Sequence, residues 1–90
     1  MEKKITGSTI VREAIKAVVG EDRYRSLLIY VDKRKDGKRR VKVQQVYWSR
    51  LTKVETQQVT DYIVAHYGED VEVQEGRSGS RMLEYVAWVL

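Results

Sequence analysis

Cysteine is absent from this chain, and so is proline. Without cysteine no disulfide can staple the fold and no thiolate can act as nucleophile or metal ligand, a composition that suits a reducing compartment. The cytoplasm is the expected location. Without proline nothing interrupts a helix or strand pattern from within. Long apolar runs are missing too: no stretch approaches the ~20 residues that span a bilayer. The amino-terminal Met1-Glu2-Lys3-Lys4-Ile5-Thr6 has basic residues but no apolar segment of signal-peptide length. The chain reads as soluble, with no membrane anchor.

Groups that do chemistry are also scarce. Histidine occurs once, at His66, on the apolar side of a helical pattern, where packing or the helix dipole is the ordinary explanation. The acids Glu69, Asp70, Glu72 and Glu75 lack the spacing and glycine of a calcium loop and read as a solvated edge. Gly76-Arg77-Ser78-Gly79-Ser80 is not followed by Lys-Ser/Thr and leads into a strand pattern, unlike a phosphate loop. No nucleophile and base can be assembled, so no enzyme, catalytic residue, metal or cofactor is expected.

What is present suffices for one core. Hydrophobic residues make up 42% of the 90 positions, enough for one domain at most. The formal charge of +4 is unevenly spread: residues 1–50 hold 14 Lys/Arg against 6 Asp/Glu, and residues 51–90 hold 3 against 7. Such a split fits a side that faces a polyanion, or halves that attract each other within one molecule or between two.

The densest signal runs from Tyr24 to Ser49, two β-rich runs joined across Lys35-Asp36-Gly37-Lys38, with six basic residues among the eight from Lys33 to Arg40. Asp-Gly signals a hairpin, and its register decides which side chains face inward. A two-residue loop would set Val31 and Ile29 against Lys42 and Gln44. A three-residue loop, Lys35-Asp36-Gly37 with Gly37 left-handed in a G1 bulge, instead sets Val31 against Val41 and Ile29 against Val43. Because opposed residues share a face, this register collects Leu27, Ile29, Val31, Val41, Val43 and Tyr47 on a core face. Ser26, Leu28, Tyr30, Asp32, Arg40, Lys42, Gln44, Val46 and Trp48 fall on an outer face that is unusually aromatic and apolar.

Elsewhere, Lys4-Ile5-Thr6 reads as a strand edge, and Gly7-Ser8-Thr9 caps a helix over 9–19. Its apolar set is Ile10, Val11, Ala14, Ile15, Ala17 and Val18, and Gly20 stands where a left-handed residue would end it. Glu21-Asp22-Arg23 reads as a link. Thr52 and Glu55 have capping-box spacing at the start of a second helix, with Val59, Tyr62, Ile63, His66 and Tyr67 on one side and Gly68 closing it. Val71 and Val73 mark a short strand. Arg81 to Leu90 reads as a strand apolar on both sides, as a central strand would be. Leu83, Tyr85, Ala87 and Val89 are read onto one face, and Met82, Val86, Trp88 and Leu90 onto the other.

The order α-β-β-α-β-β predicts an α+β two-layer sandwich, a four-stranded antiparallel sheet with two helices on one face, and a permuted ferredoxin-like arrangement is one way to build it. No family signature is carried by the residues, and the glycine-and-aromatic pattern of an RNA-recognition motif is absent. Two surfaces stand out. Lys33, Arg34, Lys35, Lys38, Arg39 and Arg40, with Lys42, form a basic arm suited to phosphates, although a solvated turn is the plain alternative. On the outer face Tyr30 and Trp48, joined by Leu28, Val46, Met82, Val86, Trp88 and Leu90, make a patch that could stack bases or meet protein. The aliphatic members favour protein, a second copy of the chain first, hence a homodimer. The expected function is nucleic-acid binding without catalysis. The rival is an inhibitor or adaptor of phage or mobile-element type, such as an anti-defence protein, whose partner is an acidic or nucleic-acid-binding protein.

Overall fold

The computed structural model describes residues 7–67 and 71–90. The expected edge at Lys4-Ile5-Thr6, the stop at Gly68 and the acids Glu69 and Asp70 lie outside the described residues. The elements are α1 (Gly7–Val19), α2 (Glu21–Ser26), β1 (Ile29–Lys33), β2 (Arg39–Gln44), α3 (Lys53–Tyr67), β3 (Glu72–Ser78) and β4 (Leu83–Val89). The strands form one antiparallel sheet in the order β1-β2-β4-β3. This is an α+β sandwich, and β4 is hydrogen-bonded on both sides.

The hairpin adopts the bulged register. Ile29 pairs with Val43 and Val31 with Val41. Gly37 has φ 85°, its N–H donates to the Arg34 carbonyl at 3.1 Å, and the Arg34 N–H donates to the Lys38 carbonyl at 2.8 Å. The Asp36 carboxylate accepts the Lys38 N–H at 3.0 Å. Positive φ at Gly37 is what lets a three-residue loop close without splaying the strands.

The hairpin is shorter than the sequence suggests, because Glu21 to Ser26 is a helix and not a link leading into a strand. Gly20 makes the break: its N–H closes α1 on the Lys16 carbonyl at 2.9 Å, and its carbonyl accepts the Tyr24 N–H at 3.0 Å. Its φ of 86° and ψ of 162° lie in a region open essentially to glycine alone. The chain restarts as helix in a new direction, with Glu21 and Asp22 in the first turn and Arg25 in the last, the order a helix dipole favours. Tyr24 packs against the core instead of opening a strand.

The core lies between the sheet and the helices. Ile10, Val11, Ala14 and Ile15 of α1 and Val59 and Ile63 of α3 close on Val41, Val43, Val86 and Trp88, all of them buried. Ala17, expected in the apolar set, is exposed: it falls just outside Ile10, at the edge of the stripe that Ile10, Val11, Ala14 and Ile15 bury. The Trp88 indole N–H donates to the Thr60 hydroxyl at 3.0 Å, so its one polar atom is satisfied by the helix above it.

That packing corrects the placement of β4. Val86 pairs with Val43 and Trp88 with Val41, so both share the helix-facing side, and Leu90 follows them by alternation and packs on the same core. Ala87 and Val89 occupy the opposite side, where they are buried next to Lys42 and Arg40 on one neighbour and Gln74 and Glu72 on the other. A strand apolar on both sides does not reveal which side is deep. The largest side chain takes the side that the helices close, and the small ones are covered by the stems of long polar neighbours.

Candidate functional site

Three exposed regions are set by this frame. The first is the hairpin tip, where every residue from Asp32 to Arg39 is exposed. Its cations are not equivalent. Arg34 pairs with Asp36 at 3.8 Å and Glu72 at 3.5 Å, and Arg40 pairs with Asp32 at 2.9 Å. The Nε of Arg40 is buried without a hydrogen-bond partner among the described residues, so this guanidinium is committed to the sheet. Lys33, Lys35, Lys38 and Arg39 make no ion pair among the described residues. Lys33 and Arg39 are opposed and point to the helix side, whereas Arg34 reaches Glu72 on the open side.

The second region is the open sheet face. Tyr30, 47% exposed, stands beside Lys42, whose ammonium lies 5.9 Å from the Tyr30 ring centroid and 5.5 Å from that of Tyr85. Gln44 and Gln74 share this face by register. Tyr85 lies against Gly76, where a Cβ would meet its Oη at 3.2 Å. Trp48 does not join Tyr30 here, and Val86, Trp88 and Leu90 are on the other side of the sheet. Of the expected apolar patch only Leu28, Val46 and Met82 lie outside the core, and all three sit at the far end of β2 or in the β3–β4 turn.

The third region is the turn from Val46 to Ser49. Tyr47 is 98% exposed and Trp48 63% exposed. The first of these overturns the expected core position of Tyr47: the chain leaves the sheet at Gln44, so strand alternation no longer applies. The turn is closed by Val46 N–H to Ser49 carbonyl at 2.9 Å and Ser49 N–H to Val46 carbonyl at 3.1 Å. Ser49 is fully buried, and its hydroxyl oxygen accepts the Leu28 N–H at 2.6 Å. The Gln45 side-chain amide bonds both the N–H and the carbonyl of Leu51, at 2.8 and 3.2 Å.

Beyond the turn, the capping box forms as its spacing predicts: Glu55 N–H donates to the Thr52 hydroxyl at 3.1 Å and Thr52 N–H to the Glu55 carboxylate at 3.0 Å. Arg23 from α2 clamps the same carboxylate through both terminal nitrogens and the Arg50 carbonyl through one, at 2.8 Å. The Arg23 guanidinium, with help from Thr52, holds the Glu55 carboxyl below its ordinary pKa, and Glu55 raises that of Arg23. Compared with protein-family models, curated proteins and solved structures, the chain has no match. Its function is therefore argued from geometry.

The remaining features carry little chemistry. An open groove of about 620 Å³ lies between the start of α3 and β3–β4, but the carboxylate of Glu84 at its wall is shared by Arg50 and Arg77, at 3.5 and 3.6 Å. His66 is exposed and stacked on Tyr62, with centroids 4.0 Å apart, and its Nδ1 is 3.0 Å from the Tyr62 carbonyl, which requires the proton on Nδ1. Among the described residues no three His, Asp or Glu side chains gather as a metal site, and no helix is long and apolar enough to cross a membrane. Sequence reasoning missed Tyr85 and Gly76 on the open face. Carrying the hairpin register across to β4, by asking which pairing sets Trp88 against a valine of β2, would have found them.

Proposed function

We propose that the chain is a small binding module without catalytic activity, whose β1–β2 hairpin lies along the phosphates of nucleic acid with little reading of bases. The observation that carries this reading is the tip itself. Lys33, Lys35, Lys38 and Arg39 project without ion pairs among the described residues, on a turn fixed by Gly37, while the nearby acids Asp32, Asp36 and Glu72 are matched by Arg34 and Arg40. Uncompensated like charges in so short a segment repel one another, and an anionic partner relieves that repulsion by releasing counterions. Labelled DNA and RNA titrated at low and moderate salt test it. Binding should weaken steeply with salt, and replacing Lys33, Lys35, Lys38 and Arg39 by Ala should flatten that dependence. No binding at low salt overturns the reading.

The display of Tyr47 and Trp48 favours a second reading, a protein-binding inhibitor or adaptor of phage or mobile-element type. Exposed aromatics on a rigid turn are the side chains that dominate protein interfaces. A pull-down from the native host with and without nuclease separates the two, and light scattering at high concentration tests whether the partner is a second copy of the chain. We also read the sandwich as a circularly permuted ferredoxin-like arrangement, in which β4 placed ahead of α1 gives the order β-α-β-β-α-β. The strand order supports that reading, and cross-strand nuclear Overhauser contacts that paired the strands in another order would remove it.

A further inference from the structure

We propose that the open sheet face binds single-stranded nucleic acid by stacking bases on Tyr30 and Tyr85, an inference that rests on the hairpin being a phosphate-binding arm. The two tyrosines stand on β1 and β4, on either side of Lys42 on β2, with the ammonium 5.9 and 5.5 Å from their ring centroids. Base stacking needs an open ring and a nearby cation to meet the phosphate that follows the base. Tyr30 is half exposed, and Tyr85, partly buried, rests its ring against Gly76, which has no side chain to displace it. Gln44 and Gln74, on the same face by register, bring amide donors and acceptors to it.

Two further observations select this occupant. The aliphatic groups that would make the face a protein interface are absent from its surface, because Val86, Trp88 and Leu90 turn to the helices and Ala87 and Val89 are buried. The acids on the face are matched, Asp32 by Arg40 and Glu72 by Arg34, and the face runs on into the cationic tip of the β1–β2 hairpin. Duplex bases are stacked on one another and closed to a flat sheet, whereas those of a single strand can be splayed onto it.

Fluorescence anisotropy at low salt, with one mixed sequence as single-stranded DNA, single-stranded RNA and duplex DNA, tests the inference. Single strands should bind at least tenfold tighter than duplex. Tyr30→Leu and Tyr85→Leu should each weaken single-strand binding roughly 5- to 100-fold with duplex binding unchanged, while Tyr→Phe at either position retains it. The DNA and RNA arms decide the sugar. Ultraviolet crosslinking of the unaltered protein gives a second readout independent of folding, with bases joined to Tyr30 or Tyr85. Equal single-strand and duplex binding, indifferent to both leucine variants and without crosslinks at either tyrosine, overturns the inference and leaves the hairpin reading standing. No binding to any of the three nucleic acids overturns both.

Discussion

At one end of β2 the chain runs into Arg34 to Lys38, where nothing is buried, and at the other it runs into Gln45 to Leu51, where Ser49 and Leu51 are buried and hold Tyr47 and Trp48 out. The first end is shaped by one glycine and by charge. Its ion pairs are exposed, each worth about 0–1 kcal/mol, and they are screened by salt. The second end is over-determined by polar clamps from three directions: Leu28 onto Ser49, Gln45 onto Leu51, and Arg23 onto Arg50 and Glu55. A soft cationic arm and a stiff aromatic turn are different instruments. An arm that follows a flexible polyanion gains little from rigidity, whereas an aromatic anchor loses affinity if it must first be ordered.

Changes at and around β2 test that contrast. The largest effect is expected between the two ends, at Trp88, which packs against Val41 and donates to Thr60. Trp88→Ala should cost about 3–5 kcal/mol in urea unfolding, a large part of the 5–15 kcal/mol typical of a domain, and should release both ends together. Ser49→Ala leaves the Leu28 N–H without its acceptor and should cost about 1–3 kcal/mol, with hydrogen exchange rising at Leu28 and the turn but not at the tip.

Gly37→Ala should cost about 1 kcal/mol, because an alanine Cβ meets no atom there but dislikes positive φ, and Gly37→Asn should cost less. If alanine proves neutral, the tip has no fixed bulge. The smallest effect is electrostatic and belongs to the stiff end. The folded-state pKa of Glu55 is lowered, so its contribution is fully present above the ordinary carboxylate pKa of about 4.3 and is lost as pH falls through the folded value. Glu55→Gln keeps a capping-box residue but loses the Arg23 pair, and it should flatten the decline in stability between about pH 5 and pH 3. An unchanged decline would mean that the clamp contributes nothing.

The sequence made local geometry legible wherever one residue type had one job. Gly37 set the hairpin register, Thr52 and Glu55 set the start of α3, and the Val59–Ile63 spacing set its buried side. It was blind where two placements satisfied the same pattern. The apolar alternation of β4 fits either face, and only the helices above the sheet decide that Trp88 goes inward and Tyr85 outward. Tyr47 was misplaced because alternation was carried past the last strand hydrogen bonds, and α2 was missed because six residues are too few for a visible period. For the candidate site, the basic arm was plain in the composition, but the division of its cations into matched and unmatched needed Glu72, which lies 38 positions from Arg34 in the chain.

The most direct measurement of the central claim is the salt dependence of nucleic-acid affinity for three proteins: the intact chain, the variant with Lys33, Lys35, Lys38 and Arg39 replaced by Ala, and the variant with Tyr47 and Trp48 replaced by Ala. The account predicts that the first variant loses about one unit of log–log slope for each phosphate contact removed, while the second keeps the slope and affinity of the intact chain. A slope unchanged by neutralising the tip, or an affinity that depends on Tyr47 and Trp48 instead, would contradict it.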